Sequence, residues 1–308
     1  MTDDTQSRED DARSGALIAL VAYTLWGVFP VYFKWIESVA PLEVLAHRIA
    51  WAVPFGALII AARRQWPEVR RALTHRTMLF WLTISTICIS LNWLVYIWAV
   101  QAERILETSL GYYINPLMFV AVSVVFFGER LRRLQTAAVI FAVIGVGYLT
   151  ISGNVFPWVA LSLAALFTGY GVIRKKIVIG AMPGLFVETT MLLPLALAWL
   201  AYLLTAGQAS FVSDGASMSL LLMLGGPITV VPLLLFAIAA KRLTLTAIGF
   251  IQFLAPTLQF IVGLHYGEEL TPAHIVCFSC IWFAVTLFSI DAIRAGRKKP
   301  PQAVPAEA

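Results

Sequence analysis

The feature that most constrains this chain is a series of ten apolar runs, each about 20 residues long. A bilayer core about 30 Å thick is crossed by roughly 20 residues of α-helix. With 60% hydrophobic and only 13% charged residues, the chain is too apolar for a water-soluble domain. Backbone polar groups in hydrocarbon must be satisfied within their own segment, and the alternating pattern of a barrel strand is absent. The sequence therefore predicts an all-α integral membrane protein.

The connections between the runs are short, so no extramembrane segment is long enough to form a catalytic or binding domain. We expect disordered cytoplasmic tails at 1–14 and 294–308, because both are polar, charged or rich in Pro and Ala. The ten predicted transmembrane helices cover residues 15–34, 43–62, 78–101, 108–127, 134–151, 155–173, 183–204, 218–240, 244–265 and 273–293.

The basic residues sort the connections into two sets. With a cytoplasmic N-terminus, nineteen of the 22 basic residues fall in cytoplasmic segments, whereas Lys34 and Arg104 fall outside and Arg48 lies within a span. Basic residues accumulate on the cytoplasmic side of membrane proteins. Because an odd number of spans would destroy this sorting, the sequence predicts ten spans with both termini cytoplasmic.

Several features recur about 140 residues apart and divide the chain into halves at 15–151 and 155–293. Pro54 corresponds to Pro194, Pro116 to Pro256, and Gly-Glu-Arg-Leu at 128–131 to Gly-Glu-Glu-Leu at 267–270. Each half contains five predicted spans, and because five is odd the halves must be inverted relative to each other. The basic residues beside each repeated motif follow the predicted side of the membrane, which supports an inverted duplication.

These motifs resemble the EamA repeat of the drug/metabolite transporter superfamily. More narrowly, the sequences at 25–34, 47–48, 91–100, 111–117 and 186–189 resemble the RarD branch of that family. The resemblance covers about 15–293. It implies a permease of the bacterial inner membrane, and it does not imply a particular substrate.

Two ionisable side chains within spans are candidates for function, because charge inside a bilayer is costly. Arg48 and Glu188 occupy equivalent positions in the two halves, six residues before Pro54 and Pro194. We expect them to lie about 15 Å apart along the membrane normal and to mark the two vestibules of one pathway. The alternatives are an Arg48 that snorkels outward or pairs with Glu43, and a Glu188 that snorkels near residues 174–176.

Uncharged polar and aromatic side chains deeper in the spans predict a central cavity that binds a small polar or aromatic solute. The alternatives are interhelical hydrogen bonding for the amides, Gln259 among them, and lipid contact for the aromatic residues. Proline lacks a backbone donor, so four prolines are predicted helix breaks. The predicted cavity residues are Arg48, Asn92, Trp93, Tyr112, Tyr113, Asn115, Glu188 and Gln252, and the predicted breaks are Pro54, Pro116, Pro194 and Pro256.

The remaining candidates carry less weight. A histidine side chain ordinarily titrates near neutral pH, so His47 beside Arg48 is a candidate for proton coupling. Cys88, Cys277 and Cys280 lie in apolar runs without a second Cys or His pair, so no metal or other cofactor is predicted. Four glutamates near the outer span ends are expected to be solvated: Glu103, Glu107, Glu268 and Glu269.

The sequence thus predicts a secondary transporter that moves a small organic metabolite or drug-like solute by alternating access. The alternatives are a lipid flippase or export protein of the same fold and, less favoured, an intramembrane enzyme, for which no nucleophile–base pair or metal constellation is present. The expected partners are a small-molecule substrate and the lipid bilayer, with no nucleic acid. Proton coupling, counter-substrate coupling and a homodimer are left open.

Overall fold

A computed structural model describes residues 2–297 apart from positions 129 and 155, and this part of the chain contains helices and no strands. The helices are α1 (Thr2–Gly27), α2 (Phe29–Trp35), α3 (Pro41–Ala62), α4 (Trp66–Thr74), α5 (Arg76–Gln101), α6 (Ile105–Phe127), α7 (Arg133–Ser152), α8 (Trp158–Lys176), α9 (Ala181–Thr205), α10 (Ser210–Ser213), α11 (Gly215–Ala239), α12 (Leu245–Ile251), α13 (Leu254–His265) and α14 (Pro272–Arg297).

Nine segments of the described chain are long and apolar enough to cross a membrane. The helix predicted at 155–173 is present as α8, but it is not among the nine, because its 19 residues end in Arg174, Lys175 and Lys176. A tenth crossing therefore remains a prediction. The nine segments are Arg13–Trp35, Pro41–Ala62, Arg76–Gln101, Ile105–Phe126, Arg133–Ser152, Ala181–Ser213, Gly215–Ala239, Ala247–His265 and Pro272–Arg294.

The helices form a bundle in which α3 packs against both α9 and α11. Helix α8 packs against α5 and α6, α13 packs against α6, and α7 packs against α14. Large apolar side chains are exposed on the outside of the bundle, as at Leu58 (67% exposed) and Leu195 (71% exposed). Such a surface is stable in hydrocarbon, and so the burial pattern agrees with a multi-pass membrane protein.

The described part of each terminus is helical. Helix α1 begins at Thr2, so the backbone of 2–13 is helical and continues into the first span. At the other end α14 continues to Arg297, and the rest of the predicted tail lies outside the described residues.

The predicted helix breaks are wrong at three of the four prolines. Helices α3, α6 and α9 continue through Pro54, Pro116 and Pro194. A proline inside a membrane helix is tolerated when the surrounding helices support the segment. Only Pro256 lies at a break, in the first turn of α13, where its missing N–H leaves no intrahelical bond unmade.

A break that the sequence did not predict lies at Val28, between α1 and α2. Pro30 in the first turn of α2 cannot donate to the carbonyl of Trp26. The side chain of Gln259 in α13 donates to that carbonyl instead, at 3.2 Å. Gln259 is thus an interhelical hydrogen-bonding residue that satisfies the backbone at the break.

Two of the four glutamates expected to be solvated are bound within the protein instead. The carboxylate of Glu268 accepts hydrogen bonds from the backbone N–H groups of Ile105 and Leu106, the latter at 2.7 Å, and so caps α6. Burial raises the pKa of Glu268, while these two bonds oppose the shift. Glu107 is buried and pairs with Arg104. Glu103 and Glu269 are exposed, as expected.

Two glycines allow α11 to lie directly against α3. A β-carbon at Gly226 would lie 2.5 Å from the carbonyl oxygen of Trp51, and one at Gly225 would lie 3.3 Å from the Cα of Arg48. The distance at Gly226 leaves no room for a β-carbon beside the backbone of α3, and the distance at Gly225 is tighter than an ordinary contact, so the two glycines favour this close approach. The contact fixes the position of Arg48 relative to α11.

We predict that Gly226→Ala destabilises the protein by about 1–3 kcal/mol, because the added methyl group would overpack the α3–α11 contact. The measurement is the free energy of unfolding in detergent, followed by tryptophan fluorescence. Gly147→Ala in α7 is the matched control, since a β-carbon there meets no atom within 4 Å. Equal stability of the two variants would contradict the proposed contact.

Candidate functional site: two buried charged clusters

Arg48 is buried in the bundle, with 5% of the residue exposed. Its Nε donates to the hydroxyl of Thr229 in α11 at 2.6 Å. The guanidinium lies over the Trp93 ring, 4.3 Å from the ring centroid, and within 6 Å of the ring centroids of Phe29 and Phe33. We call this set the Arg48 cluster: Phe29, Phe33, Arg48, Trp93 and Thr229.

The Arg48 cluster brings together four helices. Arg48 lies on α3, Trp93 on α5, Thr229 on α11, and the phenylalanines on α2. The Thr229 hydroxyl also donates to the carbonyl of Gly225, which holds it toward Arg48. Tyr32, also on α2, connects this helix to α11 by donating a hydrogen bond to the carbonyl of Leu221 at 2.9 Å.

Neither alternative interpretation of Arg48 agrees with its surroundings. A snorkelling side chain would reach the membrane surface, whereas Arg48 is enclosed by aromatic rings. Glu43 is five residues away on α3, about 140° around the helix, and it accepts the backbone N–H of Ser210 at 2.7 Å. Among the described residues, no carboxylate pairs with Arg48.

Glu188 is the centre of a second buried cluster, formed by α5, α8 and α9. It is 1% exposed, so it does not snorkel. The hydroxyl of Ser85 donates to its carboxylate at 2.6 Å and that of Tyr170 at 3.5 Å, and Nη1 of Arg174 lies 3.9 Å away. We call this set the Glu188 cluster: Ser85, Tyr170, Arg174 and Glu188.

Glycine also shapes the Glu188 cluster. A β-carbon at Gly184, one turn before Glu188, would lie 1.9 Å from a guanidinium nitrogen of Arg174, so the guanidinium occupies that space. Arg174 also donates to the carbonyl of Gly180 at 3.1 Å, and the N–H of Gly180 donates to Glu68 of α4 at 2.5 Å. The cluster thereby ties the α8–α9 connection to α4.

The two clusters lie at different depths in the bundle. Both contact α5, the Arg48 cluster through Trp93 and the Glu188 cluster through Ser85. Eight residues of helix separate these contacts, which is about 12 Å along its axis. No described ion pair joins Arg48 to Glu188. The two clusters are therefore separate sites within the bundle.

Two of the predicted cavity amides hold helices together instead. Asn92 is 1% exposed and donates to the carbonyl of Leu163 in α8 at 3.1 Å. The Asn115 side chain accepts from the hydroxyl of Thr168 at 2.9 Å. Both contacts join α8 to its neighbours, so the interhelical alternative describes these residues better.

Gln252 lies at the break between α12 and α13 and is half-buried. Its side-chain amide donates to the carbonyl of Gly249, one turn earlier, at 3.2 Å. Among the described contacts, none joins Gln252 to either cluster.

The predicted aromatic residues divide between two locations. Trp93 belongs to the Arg48 cluster, and Tyr112 lies near it, packed against Tyr96 with the ring centroids 5.8 Å apart. Tyr113 points the other way, where its hydroxyl is 2.6 Å from that of Thr257 in α13. Tyr113 is therefore a packing residue between α6 and α13.

His47 lies beside Arg48 in the sequence but outside its cluster. Its ring stacks on Phe211 with the centroids 4.9 Å apart, and its Nε2 lies 3.9 Å from Glu43. The described residues contain no group of three or more His, Cys, Asp or Glu side chains arranged to hold a metal ion.

Sequence reasoning did not select Ser85, Tyr170, Arg174 or Thr229. Hydroxyl residues are common in membrane helices, so the sequence does not distinguish Ser85, Tyr170 or Thr229 from the others. A signal was present for one of them. The sequence already placed Glu188 near residues 174–176, although as a snorkelling carboxylate rather than a buried partner of Arg174.

The fold and its buried polar clusters define a multi-pass helical membrane protein whose ionisable side chains meet inside the bundle. A solved crystal structure of a protein aligns with 92% of this chain and 99% of its own chain, with a TM-score of 0.57. The sequence identity in that alignment is 20%, so the likeness supports the fold alone.

The chain belongs to the EamA-like transporter family. The model of that family matches residues 13–151. An uncharacterized transporter of Vibrio cholerae is 42% identical, covering 96% of this chain and 97% of the relative. Protein RarD of Salmonella typhi is 42% identical over 93% of this chain and 98% of its own, and protein RarD of Escherichia coli K12 is 40% identical over 93% and 97%. The protein is therefore a membrane transporter by family.

We predict that Arg174→Gln lowers the free energy of unfolding by about 3–5 kcal/mol, because it leaves Glu188 buried without its partner. Adding Glu188→Gln should restore most of the loss, since replacing both members removes the buried charge. The measurement is a double-mutant cycle on unfolding in detergent. Additive effects of the two substitutions would contradict the pairing.

Gly184→Ala tests the same cluster without removing a charge. The added methyl group would displace the guanidinium, and we expect a loss of about 1–3 kcal/mol. In an Arg174→Gln background the same substitution should have little effect, because the displaced group is shorter there.

Proposed function

We propose that the protein is a secondary transporter that moves a small organic metabolite or drug-like solute across the bacterial inner membrane by alternating access. The observation that carries the proposal is the pair of buried charged clusters at repeat-equivalent positions, at different depths along α5. Names that describe transporters among its relatives support the same class. In this scheme Arg48 belongs to the outer vestibule and Glu188 to the inner one.

The helix packing supports an inverted repeat of residues 15–151 and 155–293. The repeat makes α3 equivalent to α9, α6 to α13 and α7 to α14, and each of these pairs packs together. The repeat also makes α5 equivalent to α11 and α8 equivalent to α1. The contact between α5 and α8 should then have a counterpart between α11 and α1, and both contacts are present. Equivalent halves that meet in this way suit alternating access, in which one half rocks against the other.

We further propose that α8 is the tenth crossing and that both termini are cytoplasmic. The distribution of basic residues supports this topology. The basic residues at the end of α8 lie on the cytoplasmic side with Arg63 and Arg64 only if α8 crosses the membrane. Helix α8 also packs against the spans α5 and α6 along its length.

Cysteine labelling in intact cells and inverted vesicles tests this topology. In a variant without the three native cysteines, we expect Ser152→Cys to react from outside and Val178→Cys from the cytoplasm. Both positions are exposed and they flank α8. Arg63→Cys serves as a cytoplasmic reference. Labelling of Ser152→Cys and Val178→Cys from the same side would show that α8 does not cross the membrane.

Uptake of a labelled metabolite mixture into proteoliposomes, with and without a pH gradient, tests transport itself. We expect Arg48→Gln and Glu188→Gln to reduce uptake at least tenfold, because each removes the charge of one vestibule. Arg63→Gln removes an exposed charge at the end of the same helix as Arg48 and should leave uptake unchanged. Full activity of both buried-site variants, at normal folded levels, would reject the vestibule roles.

One observation favours the alternative of a lipid flippase. An apolar groove of about 420 Å³ lies between α3, α5 and α8 on the side of the bundle. It is lined by Ala40, Pro41, Leu42, Leu94, Val95, Trp98 and Trp158. Translocation of a fluorescent phospholipid in the same proteoliposomes distinguishes this function, since a solute permease would leave the lipid distribution unchanged.

A further inference from the structure

The cation at the centre of the Arg48 cluster has no counter-ion within the described protein. Other arginines in the bundle do have one: the pairs are Arg104 with Glu107, Arg132 with Asp291, and Arg174 with Glu188. An uncompensated charge in a water-excluded interior is costly. A site that retains such a charge is therefore suited to a ligand that brings the opposite charge.

The orientation of the Arg48 guanidinium leaves its two terminal nitrogens available. Thr229 occupies Nε, and the described residues supply no acceptor to either Nη atom. Two parallel N–H groups match the two oxygens of a carboxylate, which is the geometry of a bidentate pair. Thr229 thereby holds the guanidinium in a fixed position for such a ligand.

The walls around this cation are aromatic. Trp93, Phe29 and Phe33 present ring faces or edges to the guanidinium, and Tyr32 and Tyr112 lie within electrostatic range of it. Aromatic walls favour a ligand with an apolar, planar body next to its charged group. A hydrated inorganic ion gains little from such surroundings.

The candidate partners within the protein are already occupied. Glu188 is held by Ser85 and Arg174, and Glu43 by the backbone of Ser210. Neither is free to neutralise Arg48 without breaking its own contacts. The counter-ion must then come from outside the described chain.

We propose that Arg48 is the anion-binding residue of the transporter and that the substrate is an organic carboxylate with an aromatic or otherwise planar body. The carboxylate is held by the two Nη groups of Arg48, and the body lies against Trp93. The statement that this carboxylate is the transported substrate rests on the proposed function. Binding of a carboxylate at Arg48 can be tested without transport.

The test measures binding of benzoate and 3-phenylpropanoate to the purified full-length protein in detergent, by thermal unfolding and by calorimetry. Benzamide and 3-phenylpropanamide serve as neutral controls of matched shape. Phenyl phosphate, benzenesulfonate and chloride report on other anions. We expect the carboxylates to raise the unfolding temperature and the amides to have no effect.

Variants then assign the effect to Arg48. Arg48→Gln should weaken carboxylate binding at least tenfold, and Arg48→Lys should bind with intermediate affinity because an ammonium lacks the planar fork. Without ligand, Arg48→Gln should unfold at a temperature no lower than the unsubstituted protein, since it loses a buried charge that has no partner. Arg63→Gln, with an exposed arginine removed, should bind as the unsubstituted protein does.

The proposal would be overturned by equal binding of acids and amides, by unchanged carboxylate binding in Arg48→Gln, or by no response to any carboxylate in the panel. A response to chloride as large as that to benzoate would reject an organic substrate. Failure of the transport function is distinguishable from these results. Carboxylate binding through Arg48 without any solute flux would reject the transporter, whereas flux of neutral solutes that Arg48→Gln leaves intact would reject the anion site.

Discussion

The arrangement of this protein depends on the rule that a polar group in hydrocarbon must find its partner within the protein. The rule is obeyed at the break beside Pro30, where Gln259 of another helix binds the carbonyl that proline leaves free. It is obeyed at the start of α6, where Glu268 accepts the exposed N–H groups. These bonds connect the two halves of the chain, so satisfying the backbone also fixes how the halves pack.

Close approach of helices places the charged side chains. Gly225 and Gly226 bring α11 against α3, and this contact sets Thr229 beside Arg48. In the Glu188 cluster, the missing side chain of Gly184 leaves the space that the Arg174 guanidinium fills. In both clusters the geometry of the charge therefore follows from a glycine. Small residues are effective in this role because helices in lipid associate by packing rather than by exclusion of water.

Hydropathy and motif resemblance were sufficient to predict the helical membrane fold and its family. Both depend on short stretches of sequence and need no knowledge of distant contacts. They also selected Arg48 and Glu188, since charge within an apolar run is conspicuous. The partners of these residues could not be predicted in the same way. Ser85 is far in sequence from Glu188, Thr229 is far from Arg48, and hydroxyl side chains are common in membrane helices. A buried asparagine such as Asn92 or Asn115 looks the same in the sequence whether it lines a cavity or bonds to a neighbouring helix.

The two clusters differ in one respect that matters for a transport cycle. Glu188 and Arg174 are close enough to compensate each other's charge, so the Glu188 cluster needs no bound ion for charge balance. Arg48 has no such partner among the described residues, and its surroundings become electrically balanced only when an anion arrives. A ligand shifts a conformational equilibrium only by its difference in affinity for the two states. Under the proposed function, a state that encloses Arg48 is stabilised by an anionic substrate and disfavoured without one, which would couple closure of this vestibule to loading.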